Sequence, residues 1–191
     1  NFYDGTGAMR DMIQSHLLQL LTLVTMEPPV NMEAESLRDE KVKVLKSIRP
    51  IPQNAVDAHA FRAQYTAGSV HDKSVKGYLQ EDNIPPESIT ETYAALKIYI
   101  DNWRWRGVPI YLRTGKRMAS DQSSISICFR KPPKQFFRDT RIERMHRNWV
   151  ILGIQPEDSL RMQMTVKEPG LEMKTRQTSL DASFHQVGDQ K

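Results

Sequence analysis

The sequence lacks the features that mark secreted, membrane-spanning and metal-binding proteins. Among 191 residues there is one cysteine, Cys128, so no internal disulfide can form, and its apolar alternating run predicts a buried structural thiol. A reducing, cytoplasmic setting fits this cysteine usage. The longest apolar run, residues 17–26, is interrupted by polar residues and is too short to cross a bilayer. We therefore expect no membrane association. No cysteine or histidine spacing predicts a zinc site, so we also expect no bound metal.

An excess of charge of one sign is also missing. Lysine and arginine number 27 against 23 aspartate and glutamate residues, which gives a formal net charge of +4. The densest basic stretch, residues 138–147, contains Asp139 and Glu143, and no stacking-aromatic motif accompanies it. We therefore expect no nucleic-acid partner, whereas a small anionic substrate fits the mild positive excess.

What is present is the pattern of an α+β domain. Apolar residues recur at helical spacing from Met9 to Val24 and again between Ala34 and Ile48, and proline follows each run. Runs typical of strands come next, several with alternating polarity. They cover residues 61–66, 92–100, 110–113, 125–130, 149–154, 160–166 and 179–184, with a polar surface excursion at 69–90. Helices followed by strands predict an α+β fold with a large, mostly antiparallel sheet.

Length and one missing motif bound the domain organisation. The 191 residues suit one domain, and the chain begins at Asn1 rather than at methionine, which is typical of a fragment or a processed piece. No G-x-G-x-x-G follows a strand, so any dinucleotide-binding half is expected upstream.

The first helical run carries two candidate functional residues. His16 occupies a position on the apolar stripe where a hydrophobic residue is expected, so it is either a core histidine with satisfied hydrogen bonds or a titratable group in a pocket. Asp11 lies five residues earlier, roughly 140° away around an α-helix, so the two are not expected to share one narrow face. Both can still border an anion at the helix start; for Asp11 the alternative is a solvated acid.

Three later segments have a functional and a structural interpretation. Lys116 lies in the basic turn of residues 113–117, which suits a sugar phosphate but is more often merely solvated. Tryptophan and arginine alternate at residues 103–106, where we expect a packed corner. Gln155 ends a strand before Pro156 and either hydrogen-bonds a sugar hydroxyl or closes a turn.

These segments occur together in one order. They read D-M-I-Q-S-H-L-L-Q at 11–19, R-D-E-K-V-K-V-L at 38–45, Q-Y-T-A-G at 64–68, D-N-W-R-W at 101–105, G-V-P at 107–109, Y-L-R-T-G-K-R at 111–117 and Q-P at 155–156. In this combination, from its first residues to about Phe184, the chain closely resembles glucose-6-phosphate dehydrogenase, particularly its bacterial forms.

The resemblance implies a two-domain enzyme. Its N-terminal Rossmann domain binds NADP, and residues 1–191 belong to the substrate-binding and dimerisation domain, truncated at both ends. The implied reaction transfers hydride from C1 of glucose 6-phosphate to NADP and gives 6-phosphoglucono-δ-lactone, the first step of the oxidative pentose phosphate pathway. The implied assembly is a cytoplasmic homodimer or larger oligomer that needs no metal.

The resemblance also assigns residue roles, position by position. His16 ends the D-x-x-x-x-H pattern and is the implied general base, because neutral imidazole suits removal of the C1 hydroxyl proton. Asp11 is implied to hold the sugar, Lys116 to contact sugar oxygens near the reacting carbon, and Gln155 to lie beside them. Residues that bind the coenzyme, and the choice between NADP and NAD, stay unknown.

Three departures from the family limit what the chain can do alone. Asp121 stands where the family usually has lysine or arginine, so either Arg117 or another base replaces that contact or it is absent. Gly153 stands where some members have an arginine of a second NADP site, so we expect no such site. The motif R-I-D-H-Y-L-G-K, which orients the histidine and holds the phosphate, is not in these residues. We therefore expect the isolated chain to be inactive.

Two other functions compete with this interpretation. The chain can be a non-catalytic dimerisation module of the same enzyme, or a related sugar-binding protein without redox chemistry. The retained His16 and Lys116 argue against both. A D-H-Y-x-x-K segment and a glycine-rich turn upstream would favour the dehydrogenase.

Overall fold

The computed structural model describes residues 2–131, 146–172 and 174–184, and it divides the chain into two compact units, Asn1–Ala119 and Ser120–Lys191. Most of the basic stretch at 138–147 and the tail after Phe184 lie outside the described residues. Within the described part of the chain, no helix is long and apolar enough to cross a membrane.

The first unit opens with one long helical segment that changes type twice. Helix α1 (Phe2–Ala8) kinks at Gly7, a π-helix follows over Met9–Leu17, and α2 continues over Leu18–Thr25. The wide turns are visible in the bonds from the Leu18 N–H to the Ile13 carbonyl and from the Ser15 hydroxyl to the Arg10 carbonyl, both spanning five residues. Helix α3 (Ala34–Lys46) matches its prediction, and a short 3₁₀ turn (Gln53–Ala55) leads into α4 (Val56–His59).

A three-stranded antiparallel sheet supports these helices. Its order is β1 (Ala60–Ala63), β4 (Tyr93–Ile98) and β5 (Ile110–Gly115). The even-numbered residues of and around β4 face the helices, as strand alternation requires. Ala94 packs with Ala8 and Ile13, whereas Ile98 and Ile100 pack with Leu21 and Val44.

The segment between β1 and β4 is more ordered than the polar excursion predicted for it. Strands β2 (Gly68–Val70) and β3 (Lys73–Val75) form a hairpin whose turn residues, His71 and Asp72, have φ of 49° and 61°. Positive φ at both central residues is the geometry of a type I′ hairpin turn. A 3₁₀ turn (Tyr78–Gln80) follows, and Tyr78 and Ile84 are buried against Tyr3.

The tryptophan and arginine corner is packed only in part. Trp105 is half-buried against the α2–α3 cluster, and its indole N–H donates to the Thr25 carbonyl at 2.9 Å. Arg104 lies 6.0 Å from the Trp105 ring and pairs with Glu27 at 3.2 Å. Trp103 is fully exposed, which contradicts the packed corner at that residue.

In the second unit, the described strands form a four-stranded antiparallel sheet. Its strands are β6 (Ser123–Cys128), β7 (Trp149–Gln155), β8 (Ser159–Lys167) and β9 (Thr175–Ser183), in that order. Cys128, the last residue of β6, is half-buried rather than buried as predicted, and among the described strands β6 pairs with β7 alone. The α+β class is confirmed and every described pairing is antiparallel, with the strands divided among sheets of three, two and four.

Candidate functional site

The start of the π-helix is fixed by Glu91, the second residue before β4. Its carbonyl accepts the Ala8 N–H at 3.0 Å and its carboxylate accepts the Met9 N–H at 2.9 Å. A carboxylate at a helix N-terminus is stabilised by the helix dipole. Gly7 has φ of 69°, and a Cβ there would lie 2.6 Å from Glu91 Oε1, so only glycine suits this kink. Glu91 and Gly7 therefore set where the π-helix begins, and the sequence alone did not identify either of them.

The π-helix carries both Asp11 and His16, and its geometry changes their relation. In a π-helix the backbone hydrogen bonds join residues i and i+5, which lie one above the other about one turn apart. Asp11 and His16 have this spacing and therefore lie on the same face. The separation of roughly 140° predicted from an α-helix is therefore wrong for this segment.

His16 is exposed, so its predicted place on a buried stripe is also wrong. Between Ala8 and Thr25 the buried residues are Ala8, Ile13, Leu21, Thr22 and Thr25, and Ile13 is the buried residue of the π-helix itself. The wide π turns rotate the packed face away from the 3.6-residue stripe read from the sequence, and residues 14–16 face solvent. Because His16 is exposed, the interpretation of this residue as a core histidine is wrong, and the imidazole is accessible to a ligand.

Lys116 follows β5 and is anchored through its backbone. Its N–H donates to the Thr92 carbonyl at 2.9 Å, and its side-chain ammonium lies 3.6 Å from the centroid of the Tyr3 ring. Burial above all, then the charges of Glu91 and Asp11, raises the pKa of Tyr3 to about 12. Asp11 and Lys116 therefore both act on the same tyrosine, although they are more than a hundred residues apart in sequence.

A pocket of about 390 Å³ lies beside Lys116. This volume falls within the range that accommodates small organic ligands. Asp11 and His16 lie outside its lining. The described residues that line it are Tyr3, Tyr65, Tyr78, Glu81, Asp82, Ile84, Lys116 and Arg117.

Arg117 is engaged by neighbours within this pocket. It has φ of 54°, and its guanidinium pairs with the Glu81 carboxylate at 2.6 Å and lies 5.4 Å from the Tyr65 ring centroid. The hydrogen bond from Arg117 holds the pKa of Glu81 below its ordinary value. In this structure the Arg117 guanidinium is thus paired with Glu81, and the hypothesis that Arg117 replaces the basic residue missing at position 121 stays a prediction.

Gln155 belongs to the second unit, which is described by itself. It is the exposed last residue of β7, and its peptide bond to Pro156, in the connection to β8, is cis. Its contact with a sugar stays a prediction. A Cβ at Gly153 would collide with the Ser159 side chain and lie 3.1 Å from the Glu157 carbonyl. Any side chain at position 153 would therefore require Ser159 to move.

The described residues do not provide a coenzyme cradle. No described strand leads through a glycine-rich turn into an α-helix, the arrangement that binds a dinucleotide pyrophosphate, so NADP is assigned to no residue here. In the same ranges, no group of three or more His, Cys, Asp or Glu side chains could hold a metal ion.

A family model described as the C-terminal domain of glucose-6-phosphate dehydrogenase matches residues 1–191. The chain belongs to the glucose-6-phosphate dehydrogenase family. Glucose-6-phosphate 1-dehydrogenase of Aggregatibacter actinomycetemcomitans is 47% identical over 183 residues, which cover 96% of this chain and 36% of that protein. The enzyme of Dickeya dadantii is 44% identical over 192 residues, which cover 100% of this chain and 39% of that protein. The chain thus spans less than two fifths of these relatives.

Solved structures of the family agree. A glucose-6-phosphate dehydrogenase in complex with its substrate glucose 6-phosphate superposes with a TM-score of 0.81 at 36% identity, over 95% of this chain and 35% of that one. The enzyme of Mycobacterium avium gives a TM-score of 0.77 at 35% identity, over 96% of this chain and 37% of that one. The family resemblance seen in the sequence is confirmed.

Proposed function

We propose that this chain is the substrate-binding part of a glucose-6-phosphate 1-dehydrogenase that oxidises glucose 6-phosphate at C1 and transfers hydride to NADP. The product is 6-phosphoglucono-δ-lactone, in the first step of the oxidative pentose phosphate pathway. The longer protein to which the chain would belong, called the parent protein below, is proposed to be a cytoplasmic homodimer or larger oligomer. Two findings support this proposal: the family model matches residues 1–191, and a solved relative is named as a complex with glucose 6-phosphate.

The observation that carries the proposal is the pairing of Asp11 and His16 on one face of a π-helix, with His16 exposed. π turns occur often at functional sites. A neutral imidazole can accept the C1 hydroxyl proton while hydride leaves the same carbon for NADP. Asp11, one turn away, would accept a hydrogen bond from the sugar and hold the reacting carbon near the base.

Two further residues are assigned from the family. Lys116 would donate hydrogen bonds to sugar oxygens near C1, for which a compact ammonium with three donors is suited. Gln155 would bind the sugar through its side-chain amide; this role rests on the resemblance alone. Without the family's phosphate-binding motif, the chain by itself is proposed to be inactive.

The test is NADPH formation by the parent protein on glucose 6-phosphate, with wild type compared with His16→Asn. Loss of a general base is expected to lower kcat by about 10²- to 10⁴-fold with KM little changed. His71→Asn is the matched control, because His71 is exposed in a hairpin turn with φ of 49° that asparagine tolerates. An unchanged kcat for His16→Asn would remove His16 as the base, and a parent protein inactive on this sugar would refute the proposed function.

A further inference from the structure

The contact between Lys116 and Tyr3 is unusually close for an exposed lysine. The ammonium nitrogen lies 3.6 Å from the ring centroid, well inside the roughly 6 Å within which the ring quadrupole attracts a cation. Lys116 itself is exposed at the edge of the pocket. An exposed lysine otherwise samples many rotamers, so the ring selects one of them.

The ring that holds Lys116 is itself fixed. Tyr3 is 9% exposed, its hydroxyl donates to the Glu91 carbonyl at 3.2 Å, and its ring meets Tyr78 edge to face with centroids 6.4 Å apart. Tyr78 is 3% exposed, packs edge to face on Tyr65 at 5.7 Å and donates its hydroxyl to Asp4 at 2.9 Å. The phenol of Tyr3 is neutral at physiological pH, and burial moves its pKa further above that range. Tyr3 is therefore a rigid, uncharged platform.

We propose that Tyr3 is a positioning residue of the sugar site, which holds the Lys116 ammonium at the pocket edge through the face of its ring. The inference rests on the proposed function, because it assumes that Lys116 binds sugar oxygens. A carboxylate partner would cancel the charge and occupy N–H donors of the lysine. A ring face leaves the charge in place and leaves the donors that point away from the ring available for oxygens.

The size of the effect follows from the strength of such contacts. Cation–π interactions at exposed to desolvated sites correspond to about 2- to 30-fold in an equilibrium constant. Ordering the lysine before the sugar binds reduces the entropy lost on binding. The gain therefore belongs to substrate binding and is expected in KM, with kcat within about twofold of the reference.

A fluorinated phenylalanine series at position 3 of the parent protein isolates the interaction. Replacing Tyr3 with phenylalanine and then with mono-, di- and trifluorophenylalanine keeps ring shape and burial while weakening the negative face of the ring. We expect KM for glucose 6-phosphate to rise stepwise with fluorine number, by about 2- to 30-fold across the series. The variant with unfluorinated phenylalanine should have a KM close to that of the wild-type protein, because it retains the negative ring face. A solely structural role would not produce such an ordered series.

Two controls keep the result specific. The same series at Tyr111, a 68% exposed tyrosine on β5, should leave KM flat. In a Lys116→Met background KM should also stay constant along the position-3 series. Without the cation, fluorination of the ring has nothing to weaken, and this non-additivity is what two interacting residues produce.

The outcomes separate the inference from the function on which it rests. An active parent protein with a flat position-3 series, or with equal losses in the Lys116→Met background, would overturn the role of Tyr3 alone. A KM that falls as fluorines are added would also overturn it, since the ring would then compete with the sugar for Lys116. A parent protein without activity on glucose 6-phosphate would overturn both.

Discussion

Asp4 shows how one carboxylate fastens the first helix to a distant loop. It accepts hydrogen bonds from the Tyr78 hydroxyl at 2.9 Å and from the Ser88 hydroxyl at 2.5 Å, and its carbonyl accepts from Thr90 at 2.6 Å. The partners lie 74 to 86 residues away in sequence. These bonds hold residues 78–90 beside α1 and thereby shape the pocket next to Lys116.

The bonds to Asp4 predict a pH-dependent stability. Hydrogen bonds from Ser88 first, and then from Tyr78, lower the pKa of Asp4 below its ordinary value of 3.8. The folded state thus favours the carboxylate, so the stabilisation is complete above that value and is lost as pH falls through the lower folded pKa. Asp4→Asn should lower Tm at neutral pH, and the difference from wild type should shrink in strong acid. Thermal melting across this range checks it.

The control for this experiment is Asp72→Asn, in an exposed hairpin turn where asparagine fits the positive φ. Its Tm should follow that of wild type at every pH. A Tm difference for Asp4→Asn that stays constant into strong acid would mean that the carboxylate charge does not matter for this anchor.

At the residue scale, the sequence indicated which side chains are candidates for function but not which residues they contact. Asp11, His16 and Lys116 stand out because their types and spacing are chemically suggestive without a structure. The role of Tyr3 depends on a lysine 113 residues away and that of Glu91 on helix N–H groups 82 residues away, and no local pattern records such contacts. Lone aromatic and acidic residues are therefore the ones that the sequence could not assign.

At the scale of elements, the π-helix is the main departure from prediction. Its apolar residues also fit a 3.6-residue repeat, so periodicity predicts an α-helix and the wrong face for His16. Strands β4 to β9 were predictable because alternation and Gly or Pro boundaries are local properties. The β2–β3 hairpin was missed because its turn is made by His71-Asp72 rather than by the usual Asn-Gly.

The kink before the π-helix provides a prediction at this scale. Gly7→Ala forces a side chain into left-handed backbone, and its Cβ would lie 2.6 Å from the Glu91 carboxylate. Strain of this kind costs about 1–3 kcal/mol, so the free energy of unfolding should fall by roughly that amount. Denaturant unfolding measures it.

Gly5→Ala is the matched control for the kink. Gly5 lies in α1, two residues before the kink, and a Cβ there meets nothing within 4 Å. Alanine in a helix should be neutral or stabilise by up to about 1 kcal/mol. If Gly7→Ala and Gly5→Ala unfold alike, the kink does not depend on glycine.

For the whole molecule, the order of elements predicted the class but not the division of the chain. Helices followed by a succession of strands predicted an α+β class with mostly antiparallel pairing. Which strands share a sheet depends on long-range pairing such as β1 with β4, about thirty residues apart, and on the separate compactness of Asn1–Ala119 and Ser120–Lys191. Neither the long-range strand pairing nor the division into two compact units can be predicted from a local sequence pattern.

The same limit applies to activity, because a site assembled from distant segments works only when all are present. In the proposed function, His16 would need an orienting carboxylate to fix its tautomer, and the sugar phosphate would need its own clamp; the motif to which the family resemblance assigns both roles is not among residues 1–191. We therefore expect the purified 191-residue chain to form no NADPH from glucose 6-phosphate and NADP, while the parent protein does. Absorbance at equal molar concentration measures this, after a cooperative thermal melt shows that the chain is folded.

The control for that measurement is the isolated chain carrying His16→Asn. If the folded wild-type chain produced NADPH faster than this variant, His16 would act without the missing motif, and the expected inactivity would be wrong. Equal background rates would instead mean that groups outside residues 1–191, among them those proposed to bind NADP, to orient the base and to hold the phosphate, are required for the reaction. Because the His16 imidazole is already exposed on the π-helix, its accessibility would then not be what limits the isolated chain. The limiting factor would be the groups missing from residues 1–191, which are proposed to bind NADP, to fix the tautomer of the base and to hold the sugar phosphate against it.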